Sequence, residues 1–274
     1  MLAFLSTRAL AGVEHVTESS YARTMSLNGV AGWITVTQSP NAPALIVECS
    51  PSLTPQWPAL LAEIRSVFDL DARPDLIAAH LGLDPQLSAS VAANPGLRVP
   101  GAFSGFELSL RAILGQQVSV KAARTIACRL VETFGVPVAT PFPELHRLSP
   151  TAARMAQASV DDIARHGIVS ARAKSIIALA AALESGALSL DDAARADPAA
   201  AIARRGELPG IGPWTAHYIA MRALRWSDAF PKEDIVVRNN LGRISAKEAE
   251  RQSQAWRPWR SYALMHVWRM EPPL

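Results

Sequence analysis

The sequence predicts an α+β fold: a small N-terminal antiparallel-sheet domain over residues 1–82, then a mostly helical region over residues 83–274. Three observations carry this. Two β-branched runs, Trp33-Ile-Thr-Val-Thr and Ala44-Leu-Ile-Val-Glu, flank Ser39-Pro-Asn-Ala-Pro, which is turn chemistry. From Leu60 the apolar residues switch to helical spacing, with Leu61, Ile64, Val67 and Phe68 on a shared face. After Pro85 the strand signals stop.

The elements follow in order. Tyr21–Leu27 supplies a further strand ahead of Trp33, and residues 57–70 form the first long helix. Ser104 caps a helix through Phe106, Leu110, Ile113 and Leu114, which Gly115-Gln-Gln-Val interrupts. Ser119 caps the next helix, to about Phe134-Gly135. Ser159 with Asp162 resembles a capping box, and Ser170 caps an Ala-rich helix ending near Gly186. Asp197-Pro198, an N-cap residue with proline in the first turn, opens a short helix that Gly206 closes. Leu208-Pro-Gly-Ile-Gly then makes a tight turn into a helix from Pro213. Helices after Asp234, over Lys247–Trp256 and through Trp268 complete the chain.

The chain has 274 residues, 49% of them hydrophobic, which suffices for a substantial core. Its net charge of +3 is unevenly spread: residues 201–274 carry 12 Lys+Arg against 7 Asp+Glu, and the rest is slightly acidic. Cys49 and Cys128 stand far apart, without Cys or His neighbours at ligand spacing, so a disulfide framework or Cys-based metal site is not expected, and a reducing cytosolic compartment fits. No apolar run is long enough to span a membrane, and the first residues do not make a signal peptide.

The helix, hairpin, helix order around Gly210 and Gly212 has a chemical meaning. Glycines let backbone N–H groups approach an anion closely, and the following helix aims its positive end at the same place. In the basic part of the chain the natural anion is a DNA phosphate, held by amides near Gly210, Gly212 and Trp214 with a hydroxyl from Thr215. Asp234 lies 22 residues after Gly212. It is placed either to N-cap the next helix or to stabilise the cationic sugar formed when an N-glycosidic bond breaks. Glu233 is the nearest rival, and spacing does not decide between them. Trp214 and Tyr218, at i and i+4, share a helix face. With Trp268 they suit either core packing or a wall on which an extruded purine stacks. His217 and His266 read as packed or surface imidazoles rather than catalysts.

Four segments together are more specific: Arg98-Val-Pro-Gly, Arg111-Ala-Ile-Leu-Gly-Gln-Gln-Val-Ser, Pro209-Gly-Ile-Gly-Pro-Trp-Thr-Ala and Trp256-Arg-Pro-Trp-Arg-Ser-Tyr-Ala. In this order, with Tyr21-Ala-Arg and Phe68-Asp-Leu, they resemble the bacterial DNA-3-methyladenine glycosylase II family of helix-hairpin-helix glycosylases. The resemblance implies a fold with a small sheet domain before the glycosylase region. It also implies excision of alkylated bases from duplex DNA, leaving an abasic site. It gives Asp234 the catalytic position, makes Trp214, Tyr218, Trp268, Gln116 and Phe4 base-pocket residues, and puts Gln117 where family members wedge a side chain, often leucine, into the DNA stack. Relatives that also cut the strand carry a lysine where this chain has Trp214. A monofunctional enzyme without metal is therefore expected, and Lys232 is read as a solvated charge.

No cofactor is implied, with a monovalent cation at the hairpin left open. The expected partner is damaged double-stranded DNA, with no obligate protein partner, no membrane, a monomeric state and a cytoplasmic site of action. Phe4 stands close to the start, so a trimmed start or the glycosylase end of a longer fusion is open; no methyl-transferring activity or zinc is expected of these residues. A glycosylase for another lesion class and a non-catalytic DNA-binding protein are the alternatives.

Overall fold

The computed structural model describes residues 1–190, 194, 196–206 and 208–270. In chain order the elements begin with α1 (Leu2–Ser6), β1 (Glu14–Val16), β2 (Ser20–Leu27), β3 (Val30–Gln38) and β4 (Leu45–Cys49). A 3₁₀ turn leads to α2 (Trp57–Val67), α3 (Pro74–Leu81), α4 (Ser88–Ala93), α5 (Gly105–Leu114) and α6 (Val120–Phe134). The two-residue strands β5 (Val136–Pro137) and β6 (Arg147–Leu148) come next, followed by α7 (Ala152–Ala156), α8 (Val160–Ala164) and α9 (Ser170–Glu184). The last helices are α10 (Pro198–Gly206), α11 (Pro213–Arg222), α12 (Ile235–Asn240), α13 (Ala246–Ser253) and α14 (Arg260–Val267). The chain forms two compact units, each from two stretches: Met1–Ile64 with Ser109–Ala187, and Arg65–Leu108 with Leu188–Leu274.

The first unit holds the four-stranded antiparallel sheet, in the order β1-β2-β3-β4. β2 and β3 turn at Asn28-Gly29, both with positive φ (50° and 81°), the backbone that a two-residue hairpin needs. Along β3 the buried Gly32, Ile34 and Val36 alternate with half-exposed Trp33, Thr35 and Thr37, the two-residue period of a sheet with one covered face. Gly32 must be glycine, because a Cβ there would meet Ser50 Oγ at 2.2 Å and Leu53 at 2.6 Å. The helices of this unit attach to the sheet through polar anchors. Buried Glu14 accepts from Tyr21 Oη (2.6 Å), Leu10 N (3.0 Å) and Arg111 (3.0 Å), and Arg124 donates to Ala9 O at 2.6 Å. Fully buried Ile34, Leu53, Leu60, Ile113, Leu130, Ile176 and Leu179 belong to its core.

Local chemistry sets most helix ends. Ser104 Oγ accepts from Glu107 N, Ser119 Oγ from Ala122 N and Asp197 Oδ1 from Ala200 N, each within 3.2 Å. Ser159 and Asp162 form the reciprocal capping box. Ser170 departs from expectation: it is the first helical residue, and Val169 occupies the cap position without a side-chain hydrogen bond. β1 and the β5–β6 pair were not foreseen; strands of two or three residues are too short for a periodic pattern to show.

The second unit is helical among its described residues and is fastened by buried polar groups. Asp69 Oδ2 accepts from Tyr262 Oη (2.9 Å) and Val99 N (3.1 Å), and its Oδ1 from Arg225 (2.7 Å). Burial, reinforced by the Asp69 charge, raises the Tyr262 phenol above its ordinary pKa. Trp256, 1% exposed, donates its indole N–H to Asp84 at 2.7 Å.

His266, 4% exposed on α14, is pushed down to about 4, first by burial and then by Arg269. The sign of its linkage is definite. Between about pH 6.5 and 4 the unfolded chain takes up a proton here that the folded chain refuses, so stability falls as pH falls through that window. The urea midpoint advantage of the wild type over His266→Gln is expected to shrink between pH 7 and 5; a constant or growing difference would contradict this.

Candidate active site

The hairpin assembles as its sequence dictates. Gly210 has φ +76°, which a side chain would strain, and buried Ile211 anchors the turn through Ile211 N to Leu208 O (3.1 Å). Gly212 is the N-cap of α11 with no side-chain cap, and Pro213 takes the first helical position. Gly210, Gly212 and Pro213 are exposed. The first turn of a helix leaves amides without intrahelical acceptors, so this end presents donors to solvent. Thr215 requires a correction. It is only 1% exposed, on the inward face of α11 with Ala216 and Ile219, so its hydroxyl is not offered to a DNA strand.

Asp234 takes the first of its sequence roles. It N-caps α12, its Oδ1 accepting from Val236 N and Val237 N at 3.0 Å each. Its carboxylate also meets two indoles. Trp214 Nε1–H donates to Oδ2 at 2.8 Å, and Trp268 Nε1–H approaches Oδ1 at 3.4 Å. Asp234 is 7% exposed. Its rival Glu233 differs: the Oε2 atom is buried without a hydrogen-bond partner, so no donor aims that oxygen.

The three aromatics of this unit form one constellation. Trp214 stacks on Tyr218 with centroids 5.2 Å apart and planes 11° from parallel. Tyr218 and Trp268 lie 6.4 Å apart at 46°. The same rings that read as a wall thus also hold the acid, a link the sequence reading missed. Arg222 was missed as well. It is 5% exposed, donates to Tyr218 Oη at 2.8 Å, and binds the carbonyls of Pro100 (2.9 Å) and Gly101 (3.0 Å). Its spacing of four from Tyr218 was the available signal.

The remaining candidates lie in the first unit. Phe4, half-buried on α1, has the Arg8 guanidinium 3.7 Å above its ring. Gln116 is half-buried, and its carbonyl accepts from Arg172. Gln117 is exposed in the turn between α5 and α6 with φ +57°, so its side chain stands on a tightly folded backbone.

The other polar residues have local explanations. Lys232 faces Glu250 at 3.9 Å. His217 Nδ1 accepts from Phe230 N at 3.4 Å, and its pKa is lowered by burial and then by Arg260. Among the described residues, no group of three or more His, Cys, Asp or Glu is placed to hold a metal ion. No described helix is long and apolar enough to cross a membrane.

The known proteins to which this chain is similar include repair enzymes. A family model described as "HhH-GPD superfamily base excision DNA repair protein" matches residues 110–260, and one described as "AlkA N-terminal domain" matches residues 1–104. The chain is 35% identical over 271 residues to DNA-3-methyladenine glycosylase 2 of Escherichia coli (strain K12), covering 99% of this chain and 93% of that protein. It is 37% identical over 270 residues to a Mycobacterium tuberculosis protein named "Probable bifunctional transcriptional activator/DNA repair enzyme AlkA", covering 96% of this chain and 53% of that one. The solved 3-methyladenine DNA-glycosylase from Archaeoglobus fulgidus shares the fold, with a TM-score of 0.83 at 20% identity, over 97% of this chain and 92% of that one. With a four-donor cradle around its aspartate and a glycine hairpin opening α11, the chain belongs to the HhH-GPD superfamily of base excision DNA repair proteins, in the DNA-3-methyladenine glycosylase 2 family.

Proposed function

We propose that this chain is a monofunctional glycosylase that hydrolyses the N-glycosidic bond of alkylated bases such as 3-methyladenine in duplex DNA, releasing the free base and leaving an abasic site. One observation carries the reading: a buried carboxylate, Asp234, is oriented by the indole N–H of a ring that belongs to an aromatic stack. Backbone amides at Gly210, Gly212 and Trp214 hold the strand by its phosphates. The damaged base leaves the helix and lies against Trp214, Tyr218 and Trp268. An alkylated purine is cationic, so electron-rich rings attract it and its departure needs little protonation. Asp234 stabilises the oxocarbenium character at the sugar and orients the attacking water. No cofactor takes part in these steps. The protein acts as a monomer on damaged DNA in the cytoplasm.

The test is chromatography of bases released from methylated duplex DNA, with panels carrying oxidised and deaminated lesions alongside. Release of alkylated purines supports the reading. Release confined to the other lesions overturns the substrate class, and salt-sensitive DNA binding without release overturns catalysis. Because Trp214 stands where strand-cutting relatives carry lysine, borohydride is expected to trap no covalent enzyme–DNA adduct.

Gln117 is proposed to fill the gap left by the extruded nucleotide. Flipping costs a few kcal/mol, so Gln117→Ala is expected to lower the flipped population about tenfold, read with a fluorescent base beside the lesion. An unchanged signal would remove that role.

A further inference from the structure

We infer that Oδ2 of Asp234 is the oxygen that faces the sugar, and that Trp214 is a positioning residue whose indole N–H aims it. This rests on the glycosylase reading above. The argument is an accounting of acceptor sites. A carboxylate oxygen offers about two lone-pair directions. Oδ1 spends both on Val236 N and Val237 N at 3.0 Å, with Trp268 Nε1 also near at 3.4 Å. Among the described residues, Oδ2 accepts from Trp214 Nε1 alone, at 2.8 Å. One direction on Oδ2 is left for water or a developing cation.

The aiming group is itself fixed. The Trp214 ring lies flat on Tyr218, whose hydroxyl is held by Arg222 at 2.8 Å. Arg222 is buried and bound to the Pro100 and Gly101 carbonyls. The indole N–H therefore stands on a packed chain of contacts rather than on a free rotamer. Asp χ2 is a soft torsion that turns both oxygens together, and two amides on Oδ1 restrain it from one side of the planar carboxylate only. Trp214 restrains the same torsion from the other oxygen, at 2.8 Å, and so narrows the direction in which the carboxylate points. A ring placed to stack a base thus also sets the direction of the acid, so that binding and chemistry share one side chain.

Trp214→Phe separates the two functions, since it keeps a stacking ring and loses the N–H. In single-turnover base release the rate constant is expected to fall about 10- to 100-fold, the range of a hydrogen bond to a charged group, while half-saturating DNA changes less than about threefold. Trp268→Phe, which removes only the longer contact to Oδ1, is expected to lose less. A second readout does not need activity. The Trp214 indole ¹H–¹⁵N resonance, identified by its disappearance in Trp214→Phe, is expected to move upfield in Asp234→Asn, because the one remaining side-chain oxygen stays on the α12 amides. A wild-type rate in Trp214→Phe, a fall in rate matched by an equal fall in affinity, or an indole resonance unmoved by Asp234→Asn would each overturn the inference. Absence of base release by the wild type overturns the glycosylase reading instead, and the indole shift still reports whether the geometry exists.

Discussion

Asp234→Asn is expected to cut base release from alkylated duplex DNA by about a hundredfold or more while leaving the melting temperature within about 3 °C. The two readouts separate the N-cap role of Asp234, which the structure shows, from the catalytic role proposed for it. As N-cap it accepts from Val236 N and Val237 N, and asparagine caps a helix about as well as aspartate. In the proposed role, as a charge beside the sugar, it has no neutral substitute. The variant therefore removes the electrostatic role and keeps the structural one. Glu233→Gln is the matched control, since the buried Oε2 of Glu233 has no hydrogen-bond partner. Single-turnover release and thermal melts on both variants decide the question. Near-normal release by Asp234→Asn with loss in Glu233→Gln would move the catalytic role to Glu233.

Asp228→Ala is expected to cost about 3–5 kcal/mol of stability, or roughly 10 °C in Tm. Asp228 receives a two-pronged Arg260 fork, Nε to Oδ1 at 2.7 Å and NH2 to Oδ2 at 3.0 Å, and Arg257 at 2.6 Å. The Arg260 side chain is 4% exposed, and its other acceptor is Glu250 at 3.3 Å. Removing the aspartate strands a buried guanidinium that cannot give up its charge. The double variant Asp228→Leu with Arg260→Met is expected to recover most of the loss, because neither charge then needs compensation. Urea unfolding measures both. A single-variant loss below about 1 kcal/mol would mean that Arg260 reaches water after all.

Two of the segments that carried the family resemblance hold the second unit together. In Trp256-Arg-Pro-Trp-Arg-Ser-Tyr-Ala, Trp256 binds Asp84, Arg257 and Arg260 bind Asp228, and Tyr262 binds Asp69. In Arg98-Val-Pro-Gly, the Val99 carbonyl accepts from Arg225 and the Pro100 carbonyl from Arg222. None of these partners is near in sequence, so no spacing rule could pair them. Thr215 shows the converse. Its type and place in the hairpin suited a phosphate ligand, but the rotation of α11 turned it inward.

What the chain alone determined was whatever depends on neighbours within a few residues. The caps at Ser119 and Ser159, the glycine conformation at Gly210, the alternation along β3 and the shared face of Trp214 and Tyr218 all follow from local periodicity and hydrogen bonding. Tertiary structure decided which lone groups met. It set two indole N–H groups on one carboxylate, placed Arg222 behind Tyr218 and left Glu233 Oε2 without a donor, because contacts across tens of residues are chosen by packing and burial rather than by spacing.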